Sequence, residues 1–185
     1  MTDYSLALFL HIVGALGLFV ALGLEWTSLL YLQRVTTTEQ AREWLRVFGL
    51  LRWVGPISLG AILLSGFYMT ATTWGGTPWI SIGMGAMILI AVLGGALTGP
   101  RLMAVGRAAG AESGVLSGAF RQRLHDPLLW TSIQTRIAVA LGIVFLMTVK
   151  PEMGTALLTM GVALILGLAS AWPRWSRSRT KEPAV

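Results

Sequence analysis

Residues 5–32 read SLALFLHIVGALGLFVALGLEWTSLLYL, an almost unbroken run of Leu, Ala, Val, Phe and Gly. A hydrocarbon core of about 30 Å needs roughly 20 such residues at about 1.5 Å each. The run is long enough to cross a bilayer with some tilt. It does not read as a signal peptide: Asp3 is the only charge before it, with no basic lead and no small-residue cleavage pattern. Two ionisable side chains lie inside it, His11 and Glu25. A titratable group in hydrocarbon is costly, so each marks a candidate site. Fourteen residues separate them, about 21 Å along a helix, so they form two sites rather than one dyad.

The rest of the chain follows the same pattern. Its 185 residues are 55% hydrophobic and 12% charged. These values belong to a polytopic membrane protein. Five spans are expected, at about 5–32, 54–73, 79–99, 128–149 and 153–172. The fold class is therefore an all-α membrane protein, one transmembrane domain over 1–175 followed by a disordered basic tail over 176–185. The absence of cysteine excludes disulfides, thiolate metal sites and iron–sulfur clusters. Basic residues flank the spans instead of gathering in one patch, which argues against nucleic-acid binding.

Charge sets the expected orientation. Of the 14 Lys and Arg residues, all but Lys150 fall on one side of this five-span arrangement. The positive-inside rule then puts the N-terminus outside and the C-terminus in the cytoplasm, in a bacterial inner membrane. Trp74 and Trp79 are expected at the outer interface, and Trp53, Trp130, Trp172 and Trp175 at the inner one. Between the first two spans, Thr36-x-x-Glu39 has the pattern of a capping box. Ala41, Trp44, Leu45, Phe48 and Leu51 follow at helical spacing. This predicts a short amphipathic helix on the inner leaflet. Residues 106–118 read as a small, flexible stretch and 119–125 as a basic helix. Asp126-Pro127 supplies an N-cap and first turn for the fourth span.

Each candidate site has a functional and a plain reading. His11, about 9 Å into the outer half, is a haem or metal ligand or a proton carrier, or else a hydrogen-bonded packing residue. Tyr68 reaches a similar depth and Lys150 stands at the outer mouth, where it would hold an anionic group or anchor the interface. His125 lies outside the spans, so one chain offers a single imidazole to a haem b. A bis-histidine haem would need two copies. Glu25 and Arg136 fall at comparable depth, as a buried ion pair or with Glu25 as a protonatable relay. Arg42, Arg46 and Arg52 are candidates for lipid headgroups. Small residues four apart (81/85, 91/95/99, 138/142, 163/167/171) allow close helix packing within the chain, in a homodimer or in a larger complex. No HExxH, phosphate-cradling glycine loop or nucleophile motif is present.

The opening Leu8-Phe9-Leu10-His11-Ile12-Val13-Gly14-Ala15 resembles a group of small bacterial membrane proteins. The group includes copper-resistance-D-like proteins and relatives of the membrane-bound protoporphyrinogen oxidase J. Leu30-Tyr31-Leu32-Gln33-Arg34 is similar in part to the aromatic–Leu–Pro–Arg turn of the J-type oxidase, with Gln33 in place of proline. The resemblance implies His11 as the position of interest, as a haem ligand. Three functions follow from the whole reading. The first is a His11-centred site in the outer half handling haem, metal or a redox partner. The second is a non-catalytic assembly or scaffolding subunit. The third is a small proton-coupled transporter using Glu25.

Overall fold

The computed structural model describes residues 2–179, with side chains at all of these except 50, 51 and 173–179. Its regular elements are helices: α1 (Asp3–Leu32), α2 (Thr38–Leu51), α3 (Val54–Met69), α4 (Pro78–Val92), α5 (Gly99–Ala111), α6 (Gly118–Leu124), α7 (Pro127–Val149) and α8 (Met153–Arg179). Two π-helical segments interrupt them. Thr70–Trp74 ends α3, and Leu93–Thr98 joins α4 to α5 without a break. Five helical stretches are long and apolar enough to cross a membrane: Asp3–Leu32, Thr38–Trp74, Pro78–Ala111, Gly118–Val149 and Met153–Trp172. This is the architecture of a multi-pass membrane protein.

The helices assemble through missing side chains. A Cβ on Gly14 would lie 3.0 Å from Ile62 and from the Ser58 carbonyl, and one on Gly17 would strike the Ser58 hydroxyl, so α1 lies directly on α3. On the far side, a Cβ at Gly167 would come 2.6 Å from the Thr135 Cα, and one at Gly142 3.1 Å from Ala163. These contacts set the α7–α8 crossing, in which half of the small-residue stripes take part. Gly85 and Gly95 have open space where a Cβ would go, and Gly14 and Gly17 pack tightly without belonging to any of the stripes.

α7 is the central helix. One core joins it to α1, α3, α4 and α8 through Leu22, Ile62, Met87, Ile90, Val139, Leu146 and Met160. The outward faces of α1, α3 and α8 leave Leu16, Leu64, Phe67, Leu158, Ile165 and Leu166 exposed. Apolar surface of that kind belongs against lipid.

A second core closes one end. Leu29, Leu32, Ala41, Val105, Phe120, Leu124, Leu129 and Trp130 meet there. The same end carries most of the arginines and is called the basic end below. Here the structure departs from several expectations. Ala41 is fully buried, and Trp44, Leu45 and Phe48 pack on this core, with Trp44 stacked on Tyr31 at 4.5 Å. The apolar face of α2 thus meets protein. Its N-cap is Thr37, one residue after Thr36, and the Gln40 side chain accepts from the Thr36 N–H. Residues 106–111 continue α5, because the π-helical join carries the α4 helix out of the apolar layer without a loop. The two connections that flank the basic end pair in a single antiparallel bridge, Thr37 to Val115, with the Thr38 N–H donating to the Gly114 carbonyl. Trp130 and Trp79 are buried in the cores, while Trp53 and Trp172 are exposed. A tryptophan in the first turn of the central helix has protein on every side. α8 runs to Arg179, into the stretch expected as a tail. Residues 180–185 lie outside the described residues, as does the Trp175 side chain.

Candidate functional site

Two polar clusters sit within the apolar helices. The larger is built around α7, where Ser132, Thr135 and Arg136 follow one another at i, i+3 and i+4 and so share one face. Each is buried. Arg136 Nη2 lies 2.6 Å from Glu25 Oε1 on α1, and it also donates to Thr98 Oγ1 at 3.0 Å. Thr98 in turn sits 2.9 Å from Ser132 Oγ, and the Ser132 hydroxyl reaches the Leu93 carbonyl. The chain Glu25–Arg136–Thr98–Ser132–Leu93 therefore ties α1, α7 and the π-helical segment together.

The π-helical segment makes room for the guanidinium. A Cβ at Gly94 would lie 3.3 Å from Arg136 Nη1, so glycine there lets the arginine lie against backbone. π-Helical turns widen a helix locally and recur at functional sites. The cluster is not fully satisfied. Arg136 Nε and Thr135 Oγ1 are buried and have no partner among the described residues. A buried donor without a partner costs about 1–3 kcal/mol. The Glu25 end is the more open one, its side chain 15% exposed against 7% for Arg136.

The second cluster surrounds His11. Its Nδ1 lies 3.1 Å from the Ile62 carbonyl and 3.1 Å from Ser65 Oγ. A carbonyl only accepts, so Nδ1 carries the proton. The Ser65 hydroxyl donates to the Ala61 carbonyl, which leaves its oxygen free to accept from the imidazole. Gly66 allows the ring to approach, since a Cβ there would stand 3.3 Å from His11 Cε1. Nε2 keeps its lone pair, and no described residue bonds it.

The other residues singled out in the sequence lie apart from this imidazole's bonds. Tyr68 is 39% exposed. Lys150 ends α7 in the left-handed region (φ 52°) and places its Nζ 4.0 Å from the centre of the Trp74 ring. That tryptophan meets Trp79 edge-on and donates to the Tyr4 hydroxyl. Lys150 thus belongs to an aromatic cluster at the end opposite the arginines. Of the three arginines proposed for headgroups, Arg42 donates from Nε to the Ala109 carbonyl at 2.7 Å and from Nη2 to the Glu112 carbonyl. It closes the C-terminal end of α5. Arg46 is exposed, and Arg52 lies over Trp53.

Thr98, Gly94, Ser132 and Thr135 escape a reading that looks only for charge. The available signal is the polar face 132/135/136 on an otherwise apolar helix. No family model matches the chain, and no curated protein or solved structure matches it either.

Proposed function

We propose that the chain is a small proton-coupled transporter of the bacterial cytoplasmic membrane, working through Glu25 and Arg136. In this reading the N-terminus is outside and the basic end faces the cytoplasm, an orientation the arginine distribution supports. The observation that carries the reading is the buried guanidinium with a donor to spare. Arg136 holds Glu25 with one nitrogen and leaves Nε and the adjacent Thr135 hydroxyl unbonded in an apolar layer. A pair serving only as a bolt gains most when every donor is satisfied. Here the spare donors suit a small anion. A proton arriving at Glu25 through its more open side would release Arg136 to bind that anion, and departure of the proton would restore the pair and expel it.

The test is proton flux into liposomes containing the purified protein and a trapped pH dye, across a panel of small inorganic and carboxylate anions. Rates are normalised to folded protein. The wild type should show anion-dependent proton uptake, Glu25→Gln none, and the double variant Glu25→Gln/Arg136→Gln, in which no guanidinium is left unpaired, none either. No anion-dependent uptake by the wild type, or uptake intact in either variant, refutes the transporter.

A second reading rests on His11. Its Nδ1–H is held by a backbone carbonyl, the arrangement that orients a metal-binding imidazole and leaves Nε2 to the metal. The residues fit one axial bond per chain to a haem. Among the described residues no three His, Asp or Glu side chains converge, and a second axial histidine would come from a second copy. A haem absorption band lost in His11→Ala and kept in Glu25→Gln supports this reading.

A further inference from the structure

A cleft of about 450 Å³ opens at the basic end, lined by Arg101, Ala104, Arg107, Arg123 and Asp126. Its floor is fixed. Arg101 donates from Nε to Asp126 Oδ2 at 2.9 Å and from Nη1 to the Leu97 carbonyl. Asp126 Oδ1 at the same time accepts from the Leu128 N–H and caps α7. The one carboxylate is therefore already engaged twice. Arg107 and Arg123 are exposed and make no ion pair or hydrogen bond with a described residue. Three guanidiniums face one carboxylate, and two of the three have no counter-charge among the described residues.

The level of the cleft identifies its occupant. Asp126 directly precedes α7, one of the membrane-crossing helices, and Arg101 stands three residues beyond the buried Thr98 on the helix that leaves the apolar layer. The cleft thus opens where lipid headgroups begin. A basic pocket between transmembrane helices at this level is suited to a phosphate-bearing headgroup, and guanidinium forks match phosphate oxygens bidentately. We infer that this cleft binds the headgroup of an anionic phospholipid, with Arg101 as the fixed floor and Arg107 and Arg123 as the closing arms. This site is separate from Arg42, whose donors close α5, and it does not depend on the transport reading.

The full chain in a neutral detergent is titrated with fluorescent short-chain phosphatidylglycerol and phosphatidylcholine. The wild type should prefer the anionic lipid. Arg107→Gln/Arg123→Gln should weaken its binding about thirty-fold, about fivefold per arginine, while Arg121→Gln, an exposed arginine of α6 outside the cleft lining, leaves it unchanged. Equal binding of the two lipids by the wild type overturns the inference, and so does an unchanged preference in the double variant. Full competition by inorganic phosphate alone also overturns it, because the cleft would then be a soluble-anion site. Should the double variant misfold, the single variant Arg107→Gln is read against the fivefold expectation, and no loss there counts against the site.

Discussion

Glu25→Gln should destabilise the protein more than Arg136→Gln, and the double variant less than the two single changes together. The order follows from what each change leaves behind. Without Glu25, the guanidinium of Arg136 stays buried, 6% exposed, and it has no neutral form within reach. Removing one partner of a buried pair costs about 3–5 kcal/mol. The Glu25 end is partly open, which places the cost near the lower figure, about 3 kcal/mol. Without Arg136, the remaining carboxyl sits at that open end and has a protonated form available, so about 1–2 kcal/mol is expected. With both gone, two amides that can bond each other remain, and the coupling should reach about 2–3 kcal/mol. The assay is reversible unfolding in mixed micelles by SDS titration, followed by helical circular dichroism. Additive single changes, or a larger loss from Arg136→Gln, would refute the view that the buried guanidinium is the expensive member.

Other expectations can be checked by the same titration. Gly167→Ala drives a methyl group into the Thr135 backbone and should cost about 1–3 kcal/mol, whereas Gly161→Ala on the same helix meets nothing within 4 Å and should be neutral or stabilising by about 0.5–1 kcal/mol. Ser65→Ala removes one of the two acceptors of the His11 N–H and should cost about 0.5–1.5 kcal/mol, the Ile62 carbonyl holding the imidazole in place. The backbone N–H of Glu39 itself, aided by the Thr38 hydroxyl and the Gly114 backbone, holds the Glu39 carboxyl below its usual value. A lowered acid contributes stability above its unfolded pKa and loses it as pH falls through the folded one. The Tm of wild type should therefore exceed that of Glu39→Gln at neutral pH, and the gap should close on acidification. The chain has no cysteine, so single cysteines at Thr2 and Gly110 report orientation cleanly: labelling by an impermeant reagent outside the cell at Thr2 alone is expected.

The spans were legible because hydrophobic length is a strong signal, and residues 5–32, 128–149 and 153–172 needed nothing more. The ion pair was legible because two charges at comparable depth in hydrocarbon have few other options. Trp130 and Trp79 were not, since an interfacial tryptophan and a buried one look alike until helix order is known. Residues 106–111, the second half of α5, read as part of a flexible stretch for a related reason. Gly106 and Gly110 lower helix propensity, but Val105 and Ala109, each 1% exposed, pack into the second core and hold the helix. Local preference lost to tertiary packing.

The feature that periodicity hides most completely is the π-helical segment Leu93–Thr98, and it positions the site. An α-helix running unbroken from Pro78 advances about 100° per residue, so the face that meets α7 at Ile90 would have a fixed relation to Thr98. The wider turn resets that relation. It turns Thr98 toward Arg136 and Ser132, brings Gly94 against the guanidinium, and leaves the Leu93 carbonyl for a side-chain donor. Straightening the segment would take the Thr98 hydroxyl out of the network, add a second unsatisfied donor to Arg136, and loosen the hold on Glu25. The π-helical turn is thus what holds Thr98 against Arg136, and without it Glu25 would be the guanidinium's one remaining partner among the described residues.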